Sequence, residues 1–191
     1  MILVITMSDQ YTSLQHHFLI AMPQMLDPNF SGTLTYLCEH NEHGAMGIVI
    51  NRPGEMSLKD ILSQLDIELA TDDQPVYLGG PVQLERGFVL HTDIGDWQSS
   101  LDIAEGIRLS TSKDILAAIA AGNGPKDYIV ALGYAGWGAG QLEQEISENA
   151  WLTCRANEDV LFHSSDDAKL AKALAILGIN PNQLSNQTGH A

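Results

Sequence analysis

The order of elements in this sequence predicts an α+β protein with a mixed β-sheet. Three observations carry that prediction. β-favouring runs come in consecutive pairs, single helical segments interrupt them, and the regular strand–helix alternation of a doubly wound parallel sheet is missing. The chain has 191 residues and is 45% apolar. That suits one domain able to bury its own core. We place this domain at residues 14–184, with 1–13 as an N-terminal extension and 185–191 as a tail, both expected to be flexible.

The apolar run His17 to Ala21 stops at Met22-Pro23. Thr33 to Leu37 and Met46 to Ile50 are β-rich, and the polar segment between them ends in Gly44, so the pair reads as a hairpin. Asn51-Arg52-Pro53-Gly54 breaks the second strand. Ser57-x-x-Asp60 is a capping signature, and Leu58, Ile61, Leu62 and Leu65 follow at helical spacing, predicting a helix over 58–65. Val76-Tyr77-Leu78 reads as a short strand before the turn Gly79-Gly80-Pro81. Gly87 to His91 and Ile107 to Ser110 read as strands, separated by a loop over 93–100. Thr111 to Asp114 caps a helix over Ile115 to Ala120, which Gly122-Asn123-Gly124-Pro125 stops. Tyr128 to Leu132 is a continuous apolar strand, expected to be covered on both faces. Gly133 to Gly140 reads as a glycine-rich loop leading into a short helix over 141–147. Trp151 to Cys154 and Val160 to Phe162 read as two late strands. Ser165-Asp166-Asp167 opens the last helix, through Leu177, with acids at its positive end.

Charge narrows the function classes. There are 24 acidic and 9 basic residues, a net charge of −15. Residues 1–51 contain no Lys or Arg, and the basic residues beyond are scattered. Duplex binding needs clustered cations against several phosphates, so direct contact with nucleic acid is not expected. Anionic lipids would repel the chain, and no stretch approaches the roughly 20 apolar residues of a membrane span. The start MILVITMSDQ lacks the basic n-region of a signal peptide. The expected location is the cytoplasm. Cys38 and Cys154 are too few for a disulfide framework. Buried thiols are the plain reading, and a single bridge stays open.

Two segments hold residue types that could carry chemistry. Cys38-Glu39-His40-Asn41-Glu42-His43 holds metal-ligating residue types, but C-x-H-x-x-H is not a structural zinc spacing and no second cluster completes a site. A solvated strand tip is the expectation, with no metal and no cofactor. Gly133 to Glu143 has the strand–glycine–helix order of phosphate sites, yet it lacks G-K-[ST] and the dinucleotide spacing. Glu143 and Glu145 would repel a phosphate there. The glycines are read as backbone freedom that lets Trp137 pack, with a small-ligand site as the alternative. No G-x-S-x-G elbow is present, and no catalytic residue is assigned. Asn51, Arg52, Gly136 and Trp137 are the candidate ligand or partner surface. Arg52 is the first basic residue of the chain, set on a strand-end turn, where it either pairs with an acid or faces a pocket.

Several of these segments carry a resemblance. Leu14 to Pro23, Met46 to Pro53, Gly79 to Val82 and Gly87 to His91 resemble, in order, the motifs of the YqgE/AlgH family. Gly133-Tyr134-Ala135-Gly136-Trp137 through Gln141-Leu142-Glu143-x-Glu145-Ile146 to Asn149-x-Trp151 resembles its most specific signature. The match spans about residues 14–178. It implies a bacterial cytosolic protein with a barrel-like mixed sheet wrapped by helices. The family carries a transcriptional-regulator label and no agreed catalytic residues, so no catalytic role is transferred. The resulting expectation is a non-enzymatic regulatory or interaction protein acting through an unidentified protein partner. The alternative is a small-molecule-binding protein or enzyme with its pocket near Arg52 and Trp137.

Overall fold

The computed structural model describes residues 11–92 and 95–185. The segments expected to be flexible, 1–13 and 185–191, fall mostly on residues 1–10 and 186–191, which lie outside the described residues. The elements are β1 His17–Ala21, β2 Leu34–Asn41, β3 Gly44–Val49, β4 Pro53–Ser57, α1 Leu58–Gln64, β5 Pro75–Leu78, β6 Val82–Thr92, β7 Ser100–Ala104 and β8 Ile107–Ser110. They continue with α2 Lys113–Ala120, β9 Tyr128–Gly138, α3 Gln141–Ser147, β10 Trp151–Arg155, α4 Glu158–Phe162, α5 Asp166–Ile176 and α6 Pro181–Ser185.

One sheet runs β10-β1-β2-β3-β9-β6-β8-β7, and its neighbours along this path are antiparallel. The short β5 joins β9 in parallel, Tyr77 opposite Ala131, and carries β4 on its far side. The fold is therefore α+β with a mixed sheet. The path also curls into a half-barrel. Its two ends meet in one core, where Ile103 of β7 and Ile107 of β8 pack with Phe18 of β1 and Cys154 of β10. The Gln15 side chain, just before β1, donates to the Ile103 carbonyl at 2.8 Å.

Alternation along each strand divides the apolar residues between the two faces. The inner face takes Ile20, Tyr36, Ile48, Leu90 and Ala131, with Val160 and Leu161 of α4 and Ala173 and Leu174 of α5. The outer face forms two clusters. Val76, Val89 and Val130 lie under α1 and α2, and Leu19, Leu37, Ala135 and Trp137 lie under Leu142 of α3. β9 is covered on both faces, as its apolar run predicts. Each fully buried aliphatic or aromatic side chain contributes about 1.5–3 kcal/mol. Cys38 and Cys154 are both buried free thiols on the inner face.

Local signals explain most elements. Ser57 and Asp60 form the reciprocal cap of α1, with the Ser57 amide donating to Asp60 Oδ2 at 2.9 Å. Two readings need correction. Gly133 to Gly138 is not a loop but the second half of β9, where Tyr134 pairs with Val82 and Trp137 with Ala45. Val160 to Phe162 is helical, not a strand. Asn157 accepts from the Val160 amide at 2.9 Å, and Glu158 and Asp159 sit in the first turn, so the capping signal overrides the β-branched residue. The edge strand β7 was not expected from the sequence, and it begins at Ser100, the last residue of the segment read as a loop over 93–100.

The glycines of β9 have a packing reason. The turn after β5 crosses directly over β9, with the Gly79 amide donating to the Leu132 carbonyl at 2.8 Å. A Cβ on Gly80 (φ +153°) would stand 2.1 Å from the Tyr134 carbonyl carbon, and one on Gly133 (φ +74°) would stand 2.4 Å from the Gly80 oxygen. Backbone lies on backbone here, and only glycine fits. Gly80→Ala is expected to cost about 2–4 kcal/mol in urea unfolding, whereas Gly87→Ala, with nothing within 4 Å of its Cβ, should stay within about 0.5 kcal/mol.

Candidate functional site

β3 runs from Gly44 at one end of the half-barrel to Ile50, just beyond its last residue, at the other. The Ile50 end is sealed by α5. Lys169 donates to the Ile50 carbonyl at 2.7 Å and to Asp166 Oδ1 at 3.0 Å, and it lies 4.8 Å over the Tyr77 ring. Burial pulls the Lys169 ammonium below its ordinary range, and Asp166 opposes that pull. The Gly44 end is open. There the inner face forms a groove of about 800 Å³ across β2, β3, β9, β6, β8 and β7. Its floor is apolar, built from Met46, Phe88, Leu109 and Tyr134, with Leu101 at one side. Glu39, Asn41, His43 and Arg86 provide its polar groups.

Arg86 reaches the groove because β6 bulges. Between the pairs Val82–Tyr134 and Gly87–Leu132, residues 83–86 leave the ladder, and Gln83 adopts φ 48°. The guanidinium folds back 5.2 Å over the Phe88 ring, and Leu84 is left 61% exposed at the bulge.

On the outer side, a buried polar chain fixes the strands that border the groove. His91 Nδ1 lies 2.8 Å from the Thr92 carbonyl, so it must carry the proton. Nε2 lies 2.7 Å from the Ser110 hydroxyl. Ser110 in turn lies 2.7 Å from the Ser100 hydroxyl of β7. β6, β8 and β7 are thus tied side chain to side chain.

The groove's other flank is held by His40. Its Nδ1 accepts from the Leu14 amide at 2.8 Å, and Nε2 faces Glu143 Oε1 at 2.8 Å. Tyr11 joins this pair through hydrogen-bond contact with His40 and with Glu143 at 2.8 Å. Burial raises the Glu143 carboxyl, but hydrogen bonds from Tyr11, its own amide and His40 outweigh it, leaving it below the usual range.

The sequence candidates divide. Gly136 and Trp137 border the groove, and Asn51 and Arg52 are not among its lining residues. Asn51 takes the Leu34 amide at 2.9 Å and donates to the Gly32 carbonyl at 3.1 Å. Arg52 pairs with backbone rather than with an acid, donating to the carbonyls of Pro28, Asn29 and Ser31 at 3.1, 2.9 and 2.8 Å. This pins the loop that carries Phe30. Phe30 stacks on Trp137 with centroids 6.0 Å apart and meets Trp151 edge-on at 5.5 Å. Both indole N–H groups donate to Glu145 Oε2, at 3.0 and 2.8 Å. Arg52 and Trp137 are connected through the loop of Phe30 on the outer face, and of the four candidates only Gly136 and Trp137 reach the groove. Within the Cys38–His43 segment, Cys38 points into the core, His40 is bound by Glu143, and His43 lies beside Glu42 at 3.5 Å. Among the described residues no group of three or more His, Cys, Asp or Glu is arranged to hold a metal.

Sequence reasoning missed Met46, Arg86, Phe88 and Tyr134 as groove residues. The signal for Tyr134 was the alternation Tyr134-x-Gly136-x-Gly138 against Ala135-x-Trp137, which a loop assignment conceals.

The fold and its glycine-crossed central strand define an AlgH-like domain. A model of the AlgH-like family matches residues 18–182, and the chain belongs to that family. It is 56% identical over 185 residues to a UPF0301 protein of Hahella chejuensis, covering 97% of this chain and all of that one. It is 56% identical over 182 residues to a UPF0301 protein of Pseudomonas putida strain F1, covering 93% and 96%. The solution structure of the AlgH protein from Pseudomonas aeruginosa superposes with a TM-score of 0.78 at 52% identity, covering 94% of this chain and 97% of that one. A crystal structure of a Corynebacterium diphtheriae protein shares the fold at 18% identity, with a TM-score of 0.67 over 94% of this chain and 93% of that one.

Arg52→Ala is expected to lower stability by about 1 kcal/mol in urea unfolding, because the loop that carries Phe30 loses the three bonds that pin it, although its carbonyls are exposed and can turn to water. Lysine should restore only part of it, since one ammonium cannot reproduce the guanidinium fork. Acid sensitivity follows from depressed carboxyls. The Lys59 amide lowers Asp73; for Asp114, burial pulls upward but bonds from Ser112, Gln98 and Ile115 prevail; Glu143 behaves likewise. Their folded values lie below the ordinary ones of 3.8 and 4.5, so their stabilisation is complete above that range and is lost as pH falls through the folded values. Melting temperature should fall below about pH 4.5, and Glu143→Gln should make that fall shallower.

Proposed function

We propose that this chain is a cytoplasmic, non-enzymatic interaction module that captures a segment of a partner protein in the groove. The observation that carries this reading is the shape and lining of the groove. It is an open trough of about 800 Å³ across six strands, with an apolar and aromatic floor and a polar rim. An open trough suits a polypeptide segment better than an enclosed small molecule, which binding sites usually bury over 70–90% of its surface. Met and aromatic side chains are the types enriched at protein interfaces. The regulatory role attached to the family is then exercised through proteins. A net charge of −15 with scattered cations supports that route over direct DNA binding. No helix among the described residues is long and apolar enough to cross a membrane.

The alternative is a small-molecule ligand. It is favoured by one feature, the Arg86 guanidinium held over Phe88 beside Tyr134, which could take an anionic group on an apolar body. Two measurements separate the readings. Leu101 is 40% exposed at the side of the groove, so Leu101→Asp should fold with nearly unchanged stability. In quantitative affinity purification from a bacterial lysate, this variant should lose at least about tenfold of a bound protein that the unaltered chain retains. Equal retention would exclude the groove as the docking site. A metabolite that raises the melting temperature by RT ln(1 + [L]/Kd), and fails to do so in Arg86→Ala, would establish the alternative instead.

A further inference from the structure

The groove is bordered by β7, one of the two end strands of the sheet path among the described residues, and that edge has a defined pattern of open backbone groups. β7 is the last strand of the path and pairs only with β8 among the described residues. The Thr111 amide donates to the Ser99 carbonyl at 3.0 Å, making that pair a hydrogen-bonded one. Hydrogen-bonded and open pairs alternate in an antiparallel ladder. Leu101–Leu109 is therefore the next hydrogen-bonded pair, while Ser100–Ser110 and Asp102–Arg108 are open pairs. The close approach of the Ser100 and Ser110 hydroxyls, 2.7 Å, fits an open pair, whose side chains stand nearer. The N–H and C=O groups of Ser100 and Asp102 thus point away from β8, off the edge of the sheet. The open stretch ends at Ile103, whose carbonyl is taken by Gln15.

We infer that β7 receives an extended, cationic segment of a partner protein as an added strand. This rests on the groove reading above and specifies how the groove is used. Side chains of an added strand alternate between faces. On the groove side they continue the row of Leu101 and Leu109 and meet the apolar floor. On the other side they stand beside Asp102, whose side chain is 76% exposed, with exposed Glu105 at the turn. The matching segment alternates apolar and cationic residues. Charge complementarity chooses this occupant. A chain of net charge −15 attracts a basic segment and repels a second copy of itself. Natural sheet edges are guarded by charge against unwanted pairing. Here Arg108 anchors one oxygen of Asp102 at 2.6 Å while the carboxylate stays mostly exposed, and the strand is braced from behind by Ser110 and His91. The edge is a rigid template.

The test uses the full chain and a capped peptide of about ten residues alternating lysine and valine. Binding is expected by calorimetry, weakening as salt rises. Methylating the peptide's backbone nitrogens at lysine or at valine positions removes one of two sets of N–H donors. Strand addition demands that only one set matter. Loss of at least about tenfold is expected from methylation at lysine for an antiparallel strand, or at valine for a parallel one, with the other set tolerated. If the peptide binds, is lost in Leu101→Asp, and tolerates both methylations equally, strand addition falls while the groove reading stands. If Leu101→Asp leaves both the peptide and the lysate partner untouched, the groove reading falls as well. Absence of peptide binding, or self-association through β7 seen by sedimentation, overturns the cationic partner.

Discussion

The close crossing of the 79–80 turn over β9 is the constraint on which the architecture depends. β9 is the strand that pairs with β3, β5 and β6, so both halves of the curled sheet are hung from it. The crossing lets the Gly79 carbonyl accept from Val49 and its amide donate to Leu132, joining β3 to β9 through a glycine. A side chain at Gly80 or Gly133 would push these strands apart. The half-barrel would then open, and the inner core that joins β7 to β1 and β10 would lose its contacts.

Polar groups act as fasteners around that frame, each at a place where apolar packing alone would leave freedom. Lys169 and Asp166 seat α5 on one end of the half-barrel. Arg52 holds the loop of Phe30, and Glu145 joins the indoles of Trp137 and Trp151. His91, Ser110 and Ser100 brace the edge. Where such networks are buried, as at His91 and Lys169, they are costly when broken and specify one arrangement when complete. They also explain why residues of the sort that carry chemistry elsewhere serve structure here. Arg52 and Trp137 attract attention as an isolated cation and an aromatic in a glycine run, yet their polar atoms are already engaged within the fold.

Elements with a local signal were legible in the sequence. The Ser57–Asp60 cap, the hairpin of β2 and β3, the apolar run of β9 and the helix after Ser165 each state their own conformation through spacing and capping. Failures occurred where local signals conflict. Gly133 to Gly138 has the composition of a loop, and only its partners on both sides make it a strand. Val160 to Phe162 has β-favouring residues, but Asn157 and the acids after it start a helix. Of the residues that line the groove, Gly136 and Trp137 stand out in the sequence, while Met46, Arg86, Phe88 and Tyr134 do not. Their convergence depends on a bulge in β6 and on strand register, which no short pattern records.

By itself, the sequence determined an acidic α+β domain and its membership in a known family. These follow from composition, periodicity and ordered motifs, which are properties of residues read along the chain. The tertiary structure alone decided that the sheet curls, that one end is sealed and the other open, and that β7 offers its backbone beside the opening. Those features arise from contacts between residues as far apart as Gln15 and Ile103. Such pairings are set by the summed register of many strands, and that sum is fixed only when the whole sheet closes on its core.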